Sequence, residues 1–176
     1  MKQLKEFTIP FVGLKLGKHQ FNFTIGQSFF DVFEYDEFNN TNVEVTLDFN
    51  KKSTMLELLF KIDGTVNVNC DLTNEPFNQY IENELLLVVN FGQEFNDDNE
   101  DLLILPHGEY EISVEQYIYE AIVLAVPSKL IHPGIEDGTL ESDVFKKLEE
   151  LSPQANKKIK EVDPRWNKLK ELLKDK

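Results

Sequence analysis

Residues 18–25 set His19, Phe21, Phe23 and Ile25 on one side of an extended chain and Lys18, Gln20, Asn22 and Thr24 on the other. A period of two marks a strand with one face in a core and the other in water. Gly13 and Gly17 bracket the turn that leads into it. Val43, Val45, Leu47 and Phe49 alternate in the same way with Glu44, Thr46 and Asp48; the pattern breaks over 51–54 and resumes over 55–62, which predicts two more strands. Asp63-Gly64 is a two-residue link between apolar runs, and glycine readily takes the positive φ of a tight turn. The pair therefore predicts a hairpin, with Val66, Val68 and Cys70 on its returning strand. Residues 84–91 are rich enough in Leu and Val to predict a strand buried on both faces, and the polar stretch 93–101 predicts an exposed loop. A weaker strand signal runs through 102–105.

Helix signals come late. Ser113-Val114-Glu115-Gln116 fits a capping box, and behind it Ile118, Ala121, Ile122 and Ala125 keep the spacing of a core-facing stripe that Pro127 ends. From Ser142 the composition is helical, and Ser152-Pro153 and Asp163-Pro164 each pair an N-cap residue with proline at the first helical position. Beyond the second pair, Trp166, Leu169, Leu172 and Leu173 share a face opposite Lys168, Lys170 and Lys174. The expectation is an α+β fold: a mainly antiparallel sheet that could close into a barrel, one packed helix near 113–126 and a helical tail. Residues 1–131 make the core, 132–141 a flexible linker and 142–176 a basic tail of the same domain.

At 176 residues, 41% hydrophobic, the chain can bury a core without disulfides, and its one cysteine, Cys70, forms no internal bridge. A reducing compartment, the cytoplasm, is expected. The run 85–89 is far short of the ~20 apolar residues that span a bilayer, and residues 1–17 interleave lysines with apolar residues, unlike a secretory signal. A soluble, non-membrane protein is expected. The net charge is -14, unevenly spread: residues 62–128 hold fourteen Asp and Glu and no Lys or Arg. Fourteen of the eighteen basic residues lie in the first 20 and last 31 positions. An acidic middle disfavours polyanions, so any phosphate contact falls to the ends.

Catalytic and metal motifs are largely missing. Gly13-Leu14-Lys15-Leu16-Gly17-Lys18-His19 has three residues between its glycines where a P-loop has four, and ends in histidine rather than Ser or Thr. Asp97, Asn99 and Asp101 imitate the opening of a calcium loop, but Leu102 stands at the turn glycine and Gly108 at the bidentate acid. No nucleophile elbow is present; His19 falls on a core face, and His107 and His132 fall in loops. Cys70-Asp71-Leu72-Thr73 sits where ribbon folds place a zinc-binding Cys-x-x-Cys, yet its second ligand is a threonine. Neither a catalytic residue nor a cofactor nor a bound metal is expected, and binding is the expected mode of action.

An ordered set of segments points further: Gly64-Thr65-Val66-Asn67-Val68-Asn69-Cys70-Asp71, then Glu75-Pro76-Phe77, then Tyr119-Glu120-Ala121-Ile122-Val123-Leu124-Ala125-Val126-Pro127 with His132, and finally Asp163-Pro164-Arg165-Trp166 before Leu169 and Leu172. In this order they resemble the YceD family of bacterial and plastid proteins, whose members support accumulation of large-subunit ribosomal RNA. That family's usual Cys-x-x-Cys is matched here only at Cys70, with His132 matching a later position; the resemblance is to a branch without the metal motif. It implies a noncatalytic part in assembly of the large ribosomal subunit, through precursor ribosomal RNA or a large-subunit ribosomal protein. The candidate contact is the tail, where Lys157, Lys158, Lys160, Arg165, Lys168 and Lys170 could neutralise phosphates. Trp166 could stack on a base, although its place on the face of Leu169 and Leu172 favours packing, and Arg165 could instead pair with Glu161. The alternative is an adaptor whose acids, over 97–101 or 109–115, engage a basic protein.

Overall fold

The computed structural model describes residues 5–99, 102–140 and 143–151. A 3-10 turn (Lys5–Phe7) leads to β1 (Thr8–Ile9), β2 (Gly17–Gly26) and the short helix α1 (Gln27–Val32). There follow β3 (Asn40–Lys51), β4 (Met55–Asn69), β5 (Pro76–Gly92), β6 (Asn96–Asn99), β7 (Leu102–Pro106), β8 (Ile112–Ser113) and α2 (Glu115–Ala125). These belong to one compact unit that ends at His132; a second begins at Pro133 and holds α3 (Pro133–Glu136) and α4 (Asp143–Leu151) among its described residues. The helical turn α3 falls inside the stretch 132–141.

Six strands form one sheet in the order β2-β3-β4-β5-β7-β6, and β1 pairs with β8 in a second, two-stranded one. All neighbours are antiparallel except β5 and β7, which run parallel. The sheet stays open, with β2 and β6 as its edges, so the expected closure into a barrel does not occur. Register brings Phe21, Leu47, Phe60 and Leu85 into one cross-strand row, and His19, Phe49, Leu58 and Leu87 into the next on the same face. The alternation read in 18–25, 43–49 and 55–62 is therefore real: Val43, Val45, Leu47, Phe49, Leu56, Leu58, Phe60 and Ile62 are all buried. Against this face α2 lays Ile118, Ala121 and Ile122, all buried, and Asn83 of β5 donates from Nδ2 to the Ala121 carbonyl at 2.9 Å. At the far end an aromatic cluster joins α1 to α2, with Phe33 stacked on Tyr119 at 4.4 Å and Phe30 edge-on to Phe38 at 5.0 Å.

Four local expectations fail. The hairpin at Asp63-Gly64 does not form: β4 runs unbroken, and Gly64 lies between Val43 of β3 and Ile81 of β5. Glycine is needed there for close approach rather than for a turn, since a Cβ would sit 2.5 Å from the Asn42 carbonyl oxygen and 2.6 Å from Val43 Cα. Val66, Val68 and Cys70 do point inward, but as the continuation of β4. The strand at 84–91 is not buried on both faces. Leu87 and Val89 are covered, whereas Leu86 is 52% exposed, because among the described residues the helix α2 packs on the face of Leu87 and Val89 and not on that of Leu86. The loop at 93–101 contains β6, an exposed edge strand. The capping box is also absent: Ser113 pairs with Thr8 in the small sheet, its Oγ is buried without a partner, and Gln116 donates to Glu120 at 2.8 Å. The helix stripe behind it stands. Helix α1 and the β1–β8 pair had no recognised signal in the sequence.

Two outcomes follow from this packing. Gly64→Ala forces a methyl group against the β3 backbone and should lower the unfolding free energy by about 1–3 kcal/mol, read as a lower denaturant midpoint at constant slope. Tyr117 of α2, its ring 6.4 Å from that of Phe60, has its phenol pushed up to about 12 by burial and then by the charges of Asp97 and Glu120. A folded-state value above the unfolded one, 10.0, gives stability that is complete below that pH and is lost as pH rises toward about 12. Melting curves across this window should show the loss, and Tyr117→Phe should make it smaller without abolishing it, because the phenols of Tyr80 and Tyr35 are raised as well.

Candidate functional site

The turn that joins β4 to β5 gathers the residues singled out by the resemblance. Cys70 N–H donates to the Glu75 carbonyl at 2.9 Å and Asn74 N–H returns to the Cys70 carbonyl at 2.8 Å, which closes the loop. Asn74 takes φ 58, a left-handed conformation that asparagine tolerates better than most residues. Glu75 N–H reaches Thr73 Oγ1 at 3.4 Å. The chain that leaves α2 then crosses this turn. Asp71 N–H donates to the Leu130 carbonyl at 2.8 Å, and Leu130 N–H donates to Asp71 Oδ2 at 2.7 Å. This two-bond clamp positions His132, whose N–H donates to Cys70 Sγ at 3.3 Å and whose ring lies 5.5 Å from that of Phe77. Cys70 and Asp71 are thus brought together with His132, 62 positions after the cysteine.

The thiol at the centre of this knuckle is 2% exposed. Burial works to raise its pKa, but the Thr73 hydroxyl and the N–H groups of His132, Leu72 and Thr73 work the other way and hold it below the ordinary thiol value. Thr73, 7% exposed, occupies the position of the second cysteine in a metal-binding knuckle and directs its hydroxyl at Cys70. A structural zinc ion needs four ligands of the thiolate, imidazole or carboxylate type. Among the described residues no group of three or more His, Cys, Asp or Glu could hold a metal ion, and Cys70 Sγ already accepts hydrogen bonds from its neighbours. The residues present do not fit that metal; hydrogen bonds close the knuckle instead.

Elsewhere, three lysines on or beside the sheet are committed, while Lys18 on the edge strand β2 is exposed near Asp48. Lys61 pairs with Asp48 at 2.9 Å, Lys52 pairs with Glu57, and Lys51 Nζ donates to the carbonyls of Phe11, Val12 and Leu14 at 2.8, 3.3 and 2.9 Å. On the solvent side Glu44, Asp63 and Glu82 stand opposite one another in a single cross-strand row, with Tyr80 donating to Asp63. Asp97 and Asn99 lie on the extended edge strand β6 rather than in a loop that wraps an ion. His19 donates from Nε2 to the Lys15 carbonyl at 2.8 Å, and His107 is exposed beyond β7. The tail residues Lys157, Lys158, Lys160, Asp163, Pro164, Arg165, Trp166, Lys168 and Lys170 lie outside the described residues. Sequence reasoning missed the Asp71–Leu130 clamp, which joins positions 59 apart and leaves no local pattern.

No helix among the described residues is long and apolar enough to cross a membrane. No curated protein and no solved structure matches the chain. A family model described as "Large ribosomal RNA subunit accumulation protein YceD" matches residues 58–173, a span that opens within β4 and takes in β5, the knuckle, α2 and α4. That match covers most of the sequence and includes Cys70, Asp71 and His132 in their assembled knuckle: the chain belongs to the YceD family.

Proposed function

We propose that this protein is a noncatalytic cytoplasmic factor that supports accumulation of large-subunit ribosomal RNA by holding precursor RNA through its lysine-rich C-terminal segment. The observation that carries the reading is the family match over residues 58–173. Charge supports the choice of segment. The sheet offers few cations for phosphates: residues 62–128 carry no Lys or Arg, Lys51, Lys52 and Lys61 already serve carboxylates or carbonyls within the fold, and Lys18 on the edge strand β2 stands near Asp48. The tail offers Lys157, Lys158, Lys160, Arg165, Lys168 and Lys170 in close succession, with Trp166 among them as a surface for a base or for the core. The knuckle, in this reading, is scaffold: its hydrogen bonds fix the end of β4 against the chain leaving α2.

Replacing Lys157, Lys158, Lys160 and Lys168 with glutamate in the full chain should abolish retention of a large-subunit RNA fragment on a filter. Before binding is lost, the slope of log affinity against log salt should shrink by about three, as expected for four lost single-strand phosphate contacts. Undiminished retention would refute the tail as the RNA contact. For the scaffold role, Thr73→Val should cost about 1 kcal/mol by thermal melting, and the same change should cost less in a Cys70→Ala background, where the thiol it supports is gone.

A further inference from the structure

Helix α2 and the edge strand β6 face each other across an open groove of about 520 Å³. Leu85, Val123 and Leu124 supply its apolar surface, and Asp97, Asp98 and Glu120 supply carboxylates. Leu124 is 81% exposed, the largest fraction among the exposed large apolar side chains of the described residues. Asp98 accepts from Asn96 and Glu120 from Gln116, so what the groove lacks among the described residues is a counter-charge and a cover over Leu124. Leu124 has no cover, and among the described residues no Lys or Arg pairs with Asp97, Asp98 or Glu120. None of the residues lining the groove is basic. Strand β6 hydrogen-bonds to β7 alone and forms the outer edge of the sheet.

We infer that this groove docks a basic, amphipathic polypeptide segment of a partner protein, whose apolar side chains cover Leu85, Val123 and Leu124 while its Lys or Arg side chains meet Asp97, Asp98 and Glu120. Apolar anchors in a groove with charges at its margin are the ordinary means by which an amphipathic helix is bound. Charge complementarity names the sign of the partner and rejects a polyanion at the same place. A bare metal ion would leave the apolar surface uncovered. The groove uses none of the tail lysines, so the inference stands or falls independently of RNA binding through them.

The test uses the full chain and, as probe, a fluorescent synthetic peptide of leucine and lysine in helical spacing, followed by anisotropy. Combined Asp97→Asn, Asp98→Asn and Glu120→Gln should weaken binding by about tenfold or more, and the single change Leu124→Ser by about threefold or more. Melting curves check that each variant is folded, and Leu124→Ser, at a solvent-facing position, keeps the test informative if the triple variant is not. A matched set on the other face of the sheet, Glu44→Gln, Asp63→Asn and Glu82→Gln, should leave binding within about twofold. The inference is overturned if the peptide fails to bind, if the groove variants bind as well as the parent, or if the outer-face set weakens binding equally, which would mean attraction to net charge alone. Retention of the large-subunit RNA fragment should not change in the groove variants; its loss there would make the groove an RNA contact and overturn the assignment to a protein.

Discussion

Strand β4 is hydrogen-bonded on both sides along its length, to β3 through the pairs from Asn40–Asn67 to Lys51–Leu56 and to β5 through those from Met55–Asn90 to Asn69–Pro76. A fifteen-residue strand in that position must fit between two neighbours, and at Gly64 there is no room beside the β3 backbone for a Cβ. What lies at the ends of the sheet follows from this. Because β4 does not turn back at Gly64, it carries Cys70 to the edge of the core, where the turn to β5 and the segment after α2 can meet. Because β5 then returns along the whole of β4, it presents Asn83 to the helix and Leu87 and Val89 to the core. One strand therefore sets both the place of the knuckle and the seat of α2.

The parts of this arrangement that were legible in the sequence are those governed by a local period. Val43 to Phe49 and the stripe Ile118, Ala121, Ile122 need only a covered face to be read correctly, and each has one. The failures come where a local pattern has two meanings that distant residues decide between. Asp63-Gly64 reads equally as a hairpin turn or as a strand site squeezed by a neighbour; Val43 settles it. Ser113 reads as an N-cap until Thr8 claims it for a strand pair, and Val114 N–H then donates to the Phe7 carbonyl at 2.9 Å. Leu86 sits in an apolar run, but it is on the face of β5 that α2 does not cover, and it stays half exposed. Helix α1 is short and packs through Phe29 and Phe30, which give too few turns for a period to show. At the knuckle, Cys70, Asp71 and His132 were recognisable as a set through their likeness to a family, while the bonds that assemble them were not.

Charge divides the molecule's surfaces. The described face of the sheet sets Glu44, Asp63 and Glu82 side by side, an arrangement that costs stability when like charges stand directly opposite. Of the lysines on the sheet, Lys61 pairs with Asp48, and at the far end of β3 Lys51 donates to the carbonyls of Phe11, Val12 and Leu14 in the loop before β2. Most of the positive charge of the sequence falls in its first 20 and last 31 positions, and the segment 62–128, which spans much of the sheet and its groove, is acidic. The polyanion and the basic segment proposed as partners differ in sign and so would compete little for the same place.

The joins within the unit also differ in how much chain they must wait for. Strands β2, β3, β4 and β5 form a meander whose neighbours follow one another directly, whereas Thr8 meets Ser113 and Asp71 meets Leu130 only after long intervening stretches. Such distant closures are slow steps in folding. During synthesis the meander can assemble first with its oily face unshielded, and the stretch from β8 to Leu130 arrives afterward as both lid and fastening. A chain halted before that stretch would have a complete four-stranded meander and nothing to keep it from sticking to its neighbours.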